Sequence, residues 1–157
     1  MWRRILPRLR LRRRLGSEGL AATELAFVAP MLILLMTGGW DLGNVVYQAE
    51  RLANAARAGT QYGLANGNNT NYTGMVQAAR NDANDPNNAL NVTATQVCVC
   101  PGGGTPTAAA CGANCAGNAS QLDYVQVTVN ENYSTMFTYP FVSNPVSLSS
   151  TVMMRFQ

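Results

Sequence analysis

Residues 19–40 read Gly19-Leu20-Ala21-Ala22-Thr23-Glu24-Leu25-Ala26-Phe27-Val28-Ala29-Pro30, then MLILLMTGGW to Trp40. The 21 residues from Leu20 to Trp40 are almost wholly apolar, and none from Leu25 to Trp40 is charged. As a helix they would extend about 32 Å at ~1.5 Å per residue. A bilayer's hydrocarbon core is about 30 Å thick, so the stretch is long enough to span it.

The flanks are unlike. All 11 basic residues are arginine, and seven fall before residue 15: Arg3, Arg4, Arg8, Arg10, Arg12, Arg13 and Arg14. With Glu18 as the only acid there, residues 1–19 carry a net +6, while four arginines against seven carboxylates give residues 20–157 a net −3. Asp41 and Glu50 follow the apolar run. The positive-inside asymmetry then places residues 1–19 in the cytoplasm and the rest outside. Past residue 19 only Arg51, Arg57, Arg80 and Arg155 remain, too sparse for a nucleic-acid surface. The chain contains no histidine, which removes the usual neutral-pH general base and most zinc sites. No phosphate-binding, dinucleotide-binding or EF-hand motif occurs, and the carboxylates are scattered. We therefore expect no catalytic residue, no cofactor, no metal, no nucleic acid and no small-molecule substrate, and hence no enzyme. A secreted enzyme would need a pocket of convergent polar groups.

The apolar run has three readings. It suits a cleaved secretory signal, although Thr37-Gly38-Gly39 is a poor cut site and the run is long for one. It suits an uncut, N-in signal anchor. The third reading also explains Glu24. A lone carboxylate in lipid is costly, at about 2.5–3.5 kcal/mol near the bilayer centre. A cut after Gly19 would make Leu20 the new N-terminus and Glu24 its fifth residue, one helical turn away. The new amine and Glu24 could pair within one chain, or between neighbouring chains to set their axial register. This is the pattern of a type IV prepilin.

Gly19-Leu20-Ala21-Ala22-Thr23-Glu24-Leu25-Ala26, with Pro30, resembles the start of TadE-like proteins, the pseudopilins or minor pilins of the tight-adherence (Tad/Flp) pilus system. Tyr47-Gln48-Ala49-Glu50-Arg51-Leu52-Ala53-Asn54-Ala55-Ala56-Arg57-Ala58-Gly59 resembles the continuation of their helix, and residues 146–155 resemble their final strand more loosely. Leu25 departs from the pattern, since many members carry Phe or Tyr there. The resemblance implies a pilin-like protein processed after Gly19 by a prepilin peptidase, with Gly19 and Leu20 at the cut and Glu24 guiding register. It implies residence in the bacterial inner membrane with the head outside, possible incorporation into a pilus, and a role in surface adherence. The implied partners are other pilins or pseudopilins and the inner-membrane assembly platform. The rival is an uncleaved single-pass envelope protein whose outer head binds a partner or surface.

Four segments follow: a basic leader, 1–19; a transmembrane helix, 20–40; its amphipathic continuation, 41–65; and an extracytoplasmic head, 66–157. Pro30 lacks an amide hydrogen for Ala26 and should bend the helix. Ala22 with Ala26, and Gly39 with Gly43, are small pairs one turn apart that would admit a second helix. Trp40 suits an interfacial anchor. Beyond it, Leu42, Val45, Val46, Ala49, Leu52, Ala53, Ala56, Thr60 and Gly63 follow steps of three and four, and should face the head. Asn44, Gln48, Arg51, Asn54, Ala58 and Gln61 should face away. Asn66-Gly67-Asn68-Asn69 should end the helix.

In the head, Thr73 is expected to cap a short helix over 74–83, with Met75, Val76 and Ala79 on one side. Asp85-Pro86-Asn87-Asn88 reads as a turn. Strands are expected over 90–99, with a parity slip near Gln96, over 122–131, and over 146–156. Residues 101–120 read as loop. The fold class is α+β: a long helix on a small antiparallel sheet. Cys98, Cys100, Cys111 and Cys115 should form two disulfides stapling loop 98–115, since an exterior head is oxidised. Zinc and free thiols are the alternatives. Zinc is disfavoured on the expectation that Cys98 and Cys100 point to opposite faces of a strand. Two connectivities are open; we favour nested Cys98–Cys115 with Cys100–Cys111.

Overall fold

Helix α1 runs unbroken from Glu18 to Ala65, through Pro30. The structure is a computed structural model that describes residues 18–65, 70–101 and 107–156. The arginines of the leader, the expected helix end at 66–69, and residues 102–106 lie outside the described residues. Contacts divide the chain into two units, Met1–Trp40 and Asp41–Gln157.

The second unit is an α+β head built on the outer part of α1. Helix α2 spans Tyr72–Asp82, and four strands follow: β1 Asn91–Cys100, β2 Thr107–Ala109, β3 Leu122–Tyr133 and β4 Val146–Phe156. They form one antiparallel sheet in the order β2-β1-β3-β4. Asn71, not Thr73, caps α2: its side chain accepts a 3.0 Å hydrogen bond from the Gly74 amide, so the helix starts two residues early. Met75 and Ala79 are buried, with Val76 partly so. The Asp85 turn closes with Asn88 N–H donating to the Asp85 carbonyl at 3.4 Å. The Asp85 carboxylate then accepts from the amides of Ala89 and Leu90, both at 2.9 Å, and so directs the chain into β1.

Alternation sets the strands. Val125, Val127 and Val129 are fully buried on one face of β3. Across from them stand Gln96, Ala94 and Val92 on β1, and Met154, Val152 and Ser150 on β4. The parity slip expected near Gln96 is absent. Gln96 and Cys98 keep the core-facing parity, and Val97 and Val99 take the other side. The two valines were misleading because residue type, not spacing, had suggested the slip. Leu52, Ala55 and Ala56 of α1, with Met75, Ala79, Leu90 and Val92, complete the core.

The inward face of α1 differs from the expected one. Leu52, Ala56, Thr60 and Gly63 are buried as expected, but Leu42, Val46 and Ala49 are exposed. Asn44, Gln48 and Arg51, expected to face away, are half-buried, and Asp41, which was assigned to neither face, is buried. The stripe 41-45-48-52 and the stripe 42-46-49-52 both have helical spacing, and apolarity favoured the wrong one. Polar groups can face a protein interior when the interior supplies partners, and Asp41 and Arg51 have them.

Gly59 permits a close approach of α1 to the backbone of α2. A Cβ there would meet the Met75 carbonyl oxygen at 2.9 Å and the side chains of Ala79 and Val127 at 3.2 Å. In an open helix Gly→Ala gains about 1 kcal/mol. Here the obstruction is backbone, so overpacking at about 1–3 kcal/mol prevails. Gly59→Ala should lower the midpoint of denaturant unfolding, and a raised midpoint would contradict this packing.

The expected loop 101–120 contains β2, whose Ala109 pairs with Cys98, and a short 3-10 turn at Ala116–Asn118. All four cysteines are in disulfides. The pairs are Cys98–Cys111 and Cys100–Cys115, crossed rather than nested. The β2 hairpin explains the first: it returns the chain antiparallel beside β1, so that Cys111 follows two residues after the partner of Cys98. The expectation that Cys98 and Cys100 face apart was wrong. Side chains two residues apart on a strand share a face, and both lie within β1.

Candidate site at the apolar helix and the loop that meets its outer part

The first part of α1 is bare. The helix from Gly19 is long and apolar enough to cross a membrane, and none of its most apolar window is buried within the protein. Gly19, Leu20, Ala22, Glu24, Ala26, Pro30, Gly39 and Gly43 are all exposed. At Gly19, Gly39 and Gly43 no atom of the described residues beyond the local helix backbone and chain neighbours lies within 4 Å of where a Cβ would be. Leu20 and Glu24 are one turn apart and so share a face. The turn is otherwise self-contained: the Thr23 hydroxyl donates to the Leu20 carbonyl at 2.7 Å, so its polar group is satisfied without water. Thr37 does the same with Leu34 at 3.1 Å.

The sequence reading missed Asp41. Its side chain is 1% exposed. One carboxylate oxygen accepts from the Met136 amide at 3.2 Å; the other accepts from the Phe137 amide at 3.3 Å and from the Tyr139 hydroxyl at 2.8 Å. Asp41 thus holds the β3–β4 loop, residues 134–145, against the start of the outer helix. Burial pushes its carboxyl pKa up, but the Tyr139 hydroxyl and the two amides outweigh burial and hold it below the ordinary value. Burial raises the Tyr139 pKa, and the Asp41 charge adds to the rise.

These shifts set a pH dependence. A carboxylate with a depressed folded pKa contributes stability that is fully present above its unfolded value, about 4, and lost as pH falls through the folded value. A phenol with a raised pKa contributes below about 10, and that contribution is lost as pH rises through the folded value. The hydrogen-exchange protection of the Met136 and Phe137 amides should therefore persist at neutral pH and fall in acid. Asp41→Asn should remove it at neutral pH, leaving two amides and a hydroxyl to share one acceptor oxygen. Unchanged protection in that variant would contradict the lock. The available clue was position: Asp41 immediately follows sixteen uncharged residues, 25–40.

Farther along α1, Arg51 Nη2 donates to both carboxylate oxygens of Glu131 on β3, at 3.2 and 3.3 Å. Beside it, Tyr47, Glu50, Asn54, Arg57 and Asp82 line a surface groove of about 520 Å³ with mixed charge. Among the described residues, no group of three or more Cys, Asp or Glu is placed to hold a metal ion.

A family model described as TadE-like protein matches residues 19–61. This stretch of α1 is TadE-like. The match begins at Gly19 and ends within the last turn and a half of α1, so it includes Glu24, Asp41 and most of the head-facing stripe. It covers well under half of the chain and leaves α2 and the sheet outside. No curated protein and no solved structure matches the chain. The TadE-like helix and its antiparallel sheet make a pilin-like α+β arrangement. The match is consistent with a TadE-like protein of Tad pilus systems, and among the described residues one helix is long and apolar enough to anchor a single-pass membrane protein.

Proposed function

We propose that this is a minor pilin or pseudopilin, with a structural rather than an enzymatic role in assembling a Tad/Flp-type pilus for surface adherence. In this reading a prepilin peptidase removes residues 1–19. The chain then waits in the inner membrane with its head outside, and joins or primes the pilus alongside other pilins at the assembly platform. The observation that carries the reading is Glu24, exposed one turn from Leu20 on the apolar part of α1 within the TadE-like stretch. Among the described residues that carboxylate is exposed, so a neighbour's new N-terminal amine is a suitable counter-charge in lipid. The small pairs Ala22/Ala26 and Gly39/Gly43, also exposed, would let the neighbour's helix approach. The reading is tested by replacing Glu24: assembly should fail while membrane insertion survives. Normal assembly would refute the role given to Glu24.

A further inference from the structure

We propose that loop 134–145 is a second membrane contact, whose apolar tip seats in the headgroup–acyl boundary of the bilayer that α1 enters. The inference rests on reading residues 20–40 as a membrane span. Asp41 is covalently next to Trp40, the last residue of that span. The carboxylate of Asp41 holds the backbone of Met136 and Phe137. The loop is thus fastened to the residue that directly follows the span in the chain.

What the loop displays there is apolar. Met136 is 76% exposed, Phe137 50% and Phe141 106%, with Val142 half-exposed beside it. Four such side chains within seven residues are unusual on a surface that meets only water. Residues 134–145, Ser-Thr-Met-Phe-Thr-Tyr-Pro-Phe-Val-Ser-Asn-Pro, contain no charged residue. Phe141 has φ +77, a left-handed conformation that bulky residues avoid unless something is gained. The lock itself suits a site poor in water: the Asp41 carboxylate is hydrogen-bonded by protein donors rather than by solvent. Aromatic and aliphatic side chains of this kind insert about 5–10 Å into the interface. Without arginine or lysine in the loop, the contact needs no anionic lipid.

Single-tryptophan probes in the full-length chain test this, in phosphatidylcholine vesicles. One carries Trp2→Phe and keeps Trp40 to report the span. A second carries Trp2→Phe, Trp40→Phe and Phe141→Trp; a third replaces Phe141→Trp by Met136→Trp, in case position 141 tolerates the change poorly. Lipids brominated near the top of the acyl chains should quench the probes at 141 and 136 to the same extent as Trp40, while aqueous iodide quenches them little. Quenching should not change with salt. If Trp40 is quenched by brominated lipid and the loop probes only by iodide, the loop lies in water and the proposal is wrong, with the span intact. Loop probes shielded from both quenchers would mean that a second copy covers them, which also overturns it. If Trp40 escapes the brominated lipid as well, the span reading fails first and takes the loop contact with it.

Discussion

Glu24→Ala should abolish incorporation into the pilus and leave the chain in the membrane. The two effects separate because they draw on different energies. Insertion depends on the apolar run from Leu20 to Trp40, and removing a carboxylate that costs up to about 2.5–3.5 kcal/mol in lipid can only favour it. In the proposed function, assembly depends on a charge pair between chains, formed in a medium where an unpaired carboxylate has no good alternative. In the structure Glu24 is exposed and lies outside the buried core of the head, so the substitution leaves that core intact. Glu24→Gln keeps the shape and loses the charge, and should fail in the same way. Membrane fractionation and recovery of sheared pili read the two effects. Wild-type levels of pilus-borne protein in either variant would contradict the register role.

The second large effect belongs to the disulfides. Cys98–Cys111 closes a loop with a sequence separation of 13, and Cys100–Cys115 one of 15. Loops of this size constrain the unfolded chain by about 3 kcal/mol each in the loop-entropy model. Losing both would remove roughly 6 kcal/mol, comparable to the whole stability of many small domains at about 5–15 kcal/mol. The segment has little else to hold it: β2 is three residues long, and of Cys111, Cys115 and their neighbours only Cys115 is buried. Replacing all four cysteines by serine should therefore lower the thermal midpoint by tens of degrees or prevent folding, and dithiothreitol should change the mobility of the native chain on a gel. A midpoint unchanged by reduction would contradict the staple.

How much of this was legible in the sequence follows from what each element depends on. The apolar helix could be read because length and lack of charge decide it. Strands β3 and β4 could be read because Val125, Val127 and Val129 alternate with polar residues, and Val146, Leu148, Val152, Met154 and Phe156 keep one parity with only Ser150 breaking the apolar series. The Gly19–Glu24 spacing was visible for the same local reason, and the family match begins at that glycine. The failures depend on contacts distant in sequence. Asp41 faces inward because a loop 95 residues later offers two amides and a hydroxyl, and no helical periodicity contains that information. Arg51 faces the head because Glu131 waits 80 residues away. Crossed rather than nested disulfides depend on the β2 hairpin, a three-residue strand with no alternation to reveal it. Position 71 rather than 73 caps α2 because several Asn and Thr residues compete there, and only geometry chooses among them.

The most direct test is N-terminal sequencing of the protein extracted from membranes of its native host. The expected first residue is Leu20, which would place Glu24 fifth in the mature chain and expose the amine that the assembly role requires. A chain that still begins at Met1 in cells making pili would contradict processing after Gly19, and with it the pairing on which the proposed function depends.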